Sequence, residues 1–469
     1  MLSRTRTESK IPDAGAAYDV IVAGGGPAGL GAALASARQG ARTLLLEARS
    51  FFGGVAALAL WMPVNRLLIN GSERGGVHDA FVAKVRSLGP QASIGGKSND
   101  IDGDGLHIHP EYLRLAAFEL LEEAGCHYRL YSPVTDVLMD KGTVQGVIVS
   151  GKDGQNVFSA RVVVDATGDG DVTYYAGAEM VMGGENGEGL MPASLVFAVA
   201  NVDVERALAF NRDYSFQEGY PPEFQAIFER ARAEGYCVSD WYAFDRTTIP
   251  GVLSVNNGGM SGIGDVDGTR VRDLTFAERS GLQVAIDFVQ IARTYQLPGL
   301  EECYLMRTGA AVAVRETRRI VGEYVYTVED ARQGTEFEDV IARKYGSIDS
   351  TYVMAPMKPG CAYPYRCLLP RPVENLLVAG RCGSATHLGL AAGKSMGNMM
   401  EIGQAAGVAA ALCSKGGITP RQLDVRELQV VLCSMGVKLF PSPQEERAEQ
   451  GRPMAATCKR FKHSKRQRD

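Results

Sequence analysis

The nine cysteines of this 469-residue chain include no C-x-x-C pair. An odd number without that spacing argues against a disulfide framework and against zinc or iron-sulfur ligation, and points to a reducing, cytoplasmic home. Long apolar runs are also missing. Nothing approaches the roughly 20 residues of a membrane span, and the opening MLSRTRTESKIPDAGAAY has no apolar segment of the secretory type. A soluble protein without a membrane partner is expected. Positive charge has no excess: 49 Lys and Arg against 54 Asp and Glu leave a net charge of -5. That balance argues against nucleic acid as the main partner. The one basic run, KRFKHSKRQRD at 459–469, has little to bury and reads as a solvated, disordered end. Only six histidines occur, and His107 and His109 have no third ligand near them in sequence, so no metal site is expected.

Glycine is what the chain has in excess. Its 55 glycines stand well above the usual share of about 7% and follow no collagen-like period. Three glycine-rich turns account for the most informative of them. The first lies in YDVIVAGGGPAGLGAALASARQGARTLLLEA, residues 18–48, which reads as strand, turn, helix, strand. Gly24, Gly26 and Gly29 have G-x-G-x-x-G spacing: a tight turn, a close approach to pyrophosphate, and helix packing on strand. Pro27 and Ala28 open a helix of small residues, whose first N–H groups would face an anion. Glu47 closes the second strand, placed to accept from ribose hydroxyls and to repel a 2′-phosphate.

A second turn, VVVDATGDGDVTYYAGAE at 162–179, gathers Thr167, Gly168 and Asp169 after an apolar strand. The alternating residues 126–160, with a hairpin signal at KDGQ, read as an antiparallel meander before it. A third is AGRCGSATHLGLAAGKS at 379–395, behind the apolar run NLLV. From Leu388 to Leu412 the residues are small and helical in pattern, so a helix beginning near Ala391 is expected to aim its N-terminus over that turn.

The motifs GGGPAG, ATGDGD, RETRRIVGEY (315–324), YPYRCLLP (363–370) and NLLVAGRCGSATH (375–387), in that order, resemble the FAD-dependent oxidoreductases related to fumarate reductase flavoproteins and L-aspartate oxidase. The resemblance spans roughly residues 17–412. It implies an α/β fold: a Rossmann-like FAD-binding domain of the glutathione-reductase type, parallel sheet plus antiparallel meander, with an inserted α+β substrate domain. The FAD-binding domain would occupy 16–189 and 355–415, the inserted domain 190–354, and a helical segment with the basic tail 416–469. The implied FAD contacts are Gly24, Gly26, Pro27, Ala28, Gly29 and Glu47 with Ala48; the double glycine Gly53 and Gly54; Val134; Thr167, Gly168 and Asp169; and Gly380, Arg381, Ala392 and Gly393. Two departures stand out. Ser350 occupies a position where relatives often carry histidine, and Lys394 one where many have arginine.

Four residues are candidates for catalysis: His387 within the third motif, Arg315 and Arg366 as carboxylate clamps, and Lys394. If RETRRIV is extended, Arg315 and Arg319 share one face while Arg318 and Glu316 share the other. Cys382 and His387 could also pair as nucleophile and base. The expected activity is hydride transfer between flavin N5 and a small organic molecule, with an unidentified electron acceptor or donor and a possible homo-oligomer. Two alternatives are a thiazole-synthase-like enzyme that gives up a cysteine sulfur and a non-catalytic FAD-binding module.

Overall fold

Val20, Ile21 and Val22 are consecutive apolar residues, the pattern of a strand covered on both faces. In the computed structural model, which describes residues 10–12, 15–69, 71–96, 105–212, 222–260, 266–350 and 353–440, they lie fully buried in β1 (Ala17–Ala23). The turn after β1 leads into α1 (Pro27–Arg38) and then β2 (Thr43–Leu46). β1 and β2 are parallel, and β3 (His127–Arg129) extends the sheet beyond β2. β4 (Val134–Asp140), β5 (Thr143–Gly151) and β6 (Gly154–Asp165) form the antiparallel meander, turning between β5 and β6 at Lys152 and Asp153. β6 closes the circuit by pairing parallel to β1.

The chain then builds a second core. β7 (Phe197–Ala200), β8 (Ser239–Arg246) and β9 (Val252–Met260) form an antiparallel sheet, α2 (Val271–Thr294) covers it, and β10 (Tyr304–Thr308) ends it as the neighbour of β7. Phe197, Phe228, Tyr242, Phe244 and Phe288 pack together there, with ring centroids 4.9 to 6.3 Å apart. This aromatic core shares none of its buried residues with the core under the first sheet. After it, Arg318–Ile320 pairs with Met180–Met182 and returns the chain to the first unit.

β11 (Val340–Lys344) pairs with β12 (Cys361–Pro364), and β13 (Leu376–Val378) joins the first sheet beside β6. The expected continuous helix after Leu388 is two helices. α3 (His387–Ala391) ends at a loop in which Gly393 has φ of 64°, and α4 (Met396–Gly416) starts at the cap Ser395. The reason is local: a left-handed residue cannot continue an α-helix, and glycine takes that conformation without steric penalty. The architecture is an α/β Rossmann-type fold with a meander and an inserted α+β unit.

Small residues let α4 lie directly on α1. A β-carbon on Gly403 would stand 1.9 Å from the Ala28 carbonyl oxygen, and one on Gly407 would stand 2.1 Å from that of Ala32. Backbone, unlike a flexible side chain, cannot step aside. Gly403→Ala is therefore expected to cost about 1–3 kcal/mol or more through overpacking. Thermal unfolding of the FAD-free chain checks this against Gly416→Ala, where the nearest atom is 3.5 Å away and no loss is expected.

Candidate functional site

Residues from all three glycine turns and from the insertion line one cleft of about 570 Å³. At one end, Gly24 takes φ of 97°, and a β-carbon on it would stand 2.4 Å from the Ala166 carbonyl oxygen. Gly26 differs: the nearest atom to a β-carbon there is Gly54 Cα at 3.9 Å, so the position stays open to the cleft. Gly26 is also the cap of α1, has no side-chain cap, and is followed by Pro27 at the first turn. The free N–H groups of that turn and the helix dipole make this end an anion site. Glu47, nearly buried, accepts from Gly25 N at 2.7 Å and Arg49 N at 2.8 Å. Burial raises its pKa against those hydrogen bonds. Each carboxylate oxygen keeps a lone pair for a hydroxyl donor on the cleft side.

The middle of the cleft is set by the second and third turns. Fully buried Asp165 accepts from the N–H and hydroxyl of Thr167 through Oδ1, and from those of Thr173 through Oδ2, at 2.7 to 3.1 Å. That fixes the turn carrying Gly168 and Asp169. Asp169 accepts from Arg381 Nη2 at 2.6 Å and from Thr317 Oγ1 at 2.7 Å, while Arg381 Nη1 donates to Thr317 at 2.9 Å. Asp171, beside this cluster, has its pKa raised to about 7 by burial and by Asp165 and Asp169, against the pull of Arg318.

The far end belongs to the insertion and to the loop between α3 and α4. Lys394 Nζ lies 2.6 Å from Asp349 Oδ2, and Arg315 Nη1 lies 3.5 Å from the same oxygen. The Arg315 guanidinium stands 5.2 Å over the Trp241 ring. Burial opposes the Asp349 carboxylate, yet the two cations outweigh it and hold its pKa below the usual value. Burial pushes the Lys394 ammonium down from 10.5 despite Asp349. Ser194, also on this wall, has a buried Oγ without a hydrogen-bond partner among the described residues.

The structure brings Gly24, Gly26, Pro27, Ala28, Glu47, Gly54, Thr167, Gly168, Asp169, Gly380, Arg381, Gly393, Arg315 and Lys394 onto this one wall. Other expected site residues lie off it. Gly29 and Gly53 support the first turn: a β-carbon on Gly29 would stand 1.7 Å from the Gly24 carbonyl oxygen, and Gly53 N donates to Gly25 O at 2.8 Å. Ala48, Val134 and Ala392 do not line the cleft. Arg366 is exposed and forks onto Asp339, so it is a surface ion pair instead of a clamp. His387 is turned away from the wall. Its Nδ1 meets Glu316 at 2.9 Å, and Glu316 also takes buried Arg319. Arg319 therefore holds the place expected of Arg318, which pairs instead with Asp171 at 2.5 Å. Only Arg318–Ile320 of this motif is strand, so alternation does not govern the arginines. Cys382 is completely buried and its thiol is pushed well above the ordinary value, which leaves no thiolate for a Cys-His pair or for sulfur donation. The basic tail 459–469 lies outside the described residues. Trp241, Asn256, Tyr345 and Asp349 line the cleft and were not named as site residues; Asp349, next to Ser350, had a nearby signal.

An open glycine, an uncapped helix end and a buried carboxylate in series suit a dinucleotide. The family model for FAD-dependent oxidoreductases matches residues 19–432. The chain belongs to that family. Its cofactor is FAD. Among similar proteins of this kind is digeranylgeranylglycerophospholipid reductase 2 of Methanopyrus kandleri, 31% identical over 153 residues, or 32% of this chain and 37% of that protein. Another is the 4-oxocyclohex-2-ene-1-carboxylate 5-dehydrogenase of Sinomonas cyclohexanicum, 35% identical over 77 residues, or 16% of this chain and 12% of that one. The matches thus span well under half of these relatives. A solved geranylgeranyl bacteriochlorophyll reductase-like protein from Thermoplasma acidophilum aligns over 93% of this chain and 88% of its own, with 15% identity and a TM-score of 0.48. Among the described residues, no helix of this flavoenzyme is long and apolar enough to cross a membrane.

Removing the Glu47 carboxylate deletes a hydrogen-bonding charge worth about 1.5–3 kcal/mol, so Glu47→Ala should weaken FAD binding roughly 10- to 100-fold. Titration of the FAD-free protein by flavin fluorescence measures it, and unchanged affinity would remove Glu47 from the ribose site.

Proposed function

We propose that this flavoenzyme oxidises or reduces a small organic anion held by Arg315 and Lys394 at the far end of the cleft. Bound FAD supplies the two-electron chemistry, taking or giving a hydride at N5. The observation that carries the reading is the Arg315–Asp349–Lys394 cluster, in which two cations share a single carboxylate and leave one positive charge over. Stacking on Trp241 fixes the plane of the Arg315 guanidinium. Its 3.5 Å approach to Asp349 is loose, so its paired N–H donors suit a bidentate carboxylate from a ligand. The free Ser194 hydroxyl adds a further polar contact. Dehydrogenation removes two hydrogens from the substrate, one as hydride and one as a proton. That proton passes to water in the cleft, because Lys394 keeps its own proton while it holds the anion. Reduction runs the same transfer backwards. One relative, by its name a dehydrogenase of a cyclohexene carboxylate, supports an anionic substrate.

Anaerobic mixing with a panel of carboxylic acids and their amides tests the reading: acids should bleach the flavin and the matching amides should not. With the acid so found, Arg315→Ala should keep its FAD and lose roughly 10- to 100-fold in kcat/KM, as expected for a lost charged hydrogen-bonding pair. Normal turnover in that variant would overturn the assignment. The sign of the pH effect follows from Lys394. Its ammonium holds the anion below its lowered pKa and is lost above it, so KM should rise with pH before the ordinary lysine value of 10.5 is reached. Lys394→Met should flatten that rise.

A further inference from the structure

Lys344, the last residue of β11, is 2% exposed. Its ammonium lies 4.5 Å from the ring centroid of Tyr326 and 5.5 Å from that of Tyr363. The Gly389 carbonyl accepts from it at 3.4 Å. Among the described residues no carboxylate pairs with it. The titratable groups that face it are Tyr326, Tyr363, Cys361, Cys367 and, on the cleft loop, Lys394. Burial pushes both tyrosines and both cysteines upward, so all four are neutral at physiological pH. Lys344 is thus a buried cation over two aromatic faces without an anion, an arrangement that burial strongly disfavours. That burial lowers its pKa to about 8, which leaves it mostly charged at pH 7.

The location gives the charge a use. Tyr345, Gly346 and Ser347, the three residues after Lys344, line the cleft, as do Ala391, Gly393 and Lys394. Lys344 Cε lies 3.2 Å from the place a β-carbon on Gly393 would take. A single layer of backbone therefore separates the lysine stem from the cleft. Glu47 and the first glycine turn hold the adenosine and pyrophosphate, which leaves this part of the wall to the redox-active ring. We propose that Lys344 is a positioning residue for the cofactor, a buried cation behind the Gly389–Lys394 wall whose counter-charge is the negative charge that FAD gains on reduction. It acts through the field across the loop and touches neither substrate nor FAD. Its consequence is tighter binding of the reduced cofactor and a higher reduction potential.

Redox titration of the FAD-loaded protein tests this without reference to substrate. Lys344→Met keeps the stem over the rings and removes the charge. It should retain FAD while lowering the affinity ratio of reduced to oxidised cofactor about tenfold, a fall of about 30 mV in the two-electron midpoint potential. Lys344→Arg, which keeps a cation, should restore most of the loss. In the unaltered protein the midpoint should fall more steeply with pH above about 8, where the oxidised state has lost the lysine proton and reduction must recover it. A Lys344→Met protein that holds FAD at an unchanged potential would overturn the proposal. So would a wild-type potential with the same slope on both sides of pH 8, and that measurement decides the matter if the variant does not load FAD.

Discussion

The direct seating of α4 on α1, backbone against backbone, is the constraint on which the site depends. Three elements meet there: the first glycine turn, the N-terminus of α1, and the helix that follows the third glycine turn. Because Gly403 and Gly407 meet the Ala28 and Ala32 carbonyls with no side chain between them, the two helix N-termini are held at a fixed spacing along the cleft. Gly29 repeats the contact within the first turn, and Gly53 ties the following loop to Gly25. The geometry of the first glycine turn is therefore a product of packing, in which a methyl group in the wrong place is the main hazard.

Around that frame the cleft carries a gradient of charge. Beside the first glycine turn stands a single buried carboxylate, Glu47. In the middle, Asp165 organises its own turn, and Asp169 is matched by Arg381 and Thr317. At the far end Arg315 and Lys394 flank Asp349, with Asp245 also on the wall and Lys344 behind. A cofactor whose two ends differ in charge during the reaction fits this order: neutral hydroxyls meet the carboxylate, and developing negative charge meets the cations.

The strand, turn and helix around the first glycine motif were legible because their signals are local. Turn, helix cap and strand-end carboxylate lie within residues 24–47, and each follows from the conformational needs of glycine or from the period of a strand. The substrate end was not, since Trp241, Arg315, Asp349 and Lys394 come from four segments joined only by tertiary contact. Arg315 and Lys394 were visible as candidates, but their shared partner Asp349 was not. His387 and Arg366 misled for the same reason: each sits inside a motif, yet its side chain answers to a distant carboxylate, Glu316 or Asp339. Glycine at 393 was noticed, although its left-handed conformation, which splits the expected helix into α3 and α4, depends on the loop around it.

The insertion has its own aromatic core, built between Phe197 and Cys303 and separate from the core beneath the nucleotide-binding sheet. Mutations that reshape that core or the strands around Trp241 and Asn256 can alter what enters the cleft while the glycine turns stay in register. The other face of the insertion's sheet packs Ala198, Ala200 and Val252 on Ala59, Leu60 and Trp61 close behind the double glycine, so a lineage that changes its chemistry's target must keep this seam intact to hold its flavin.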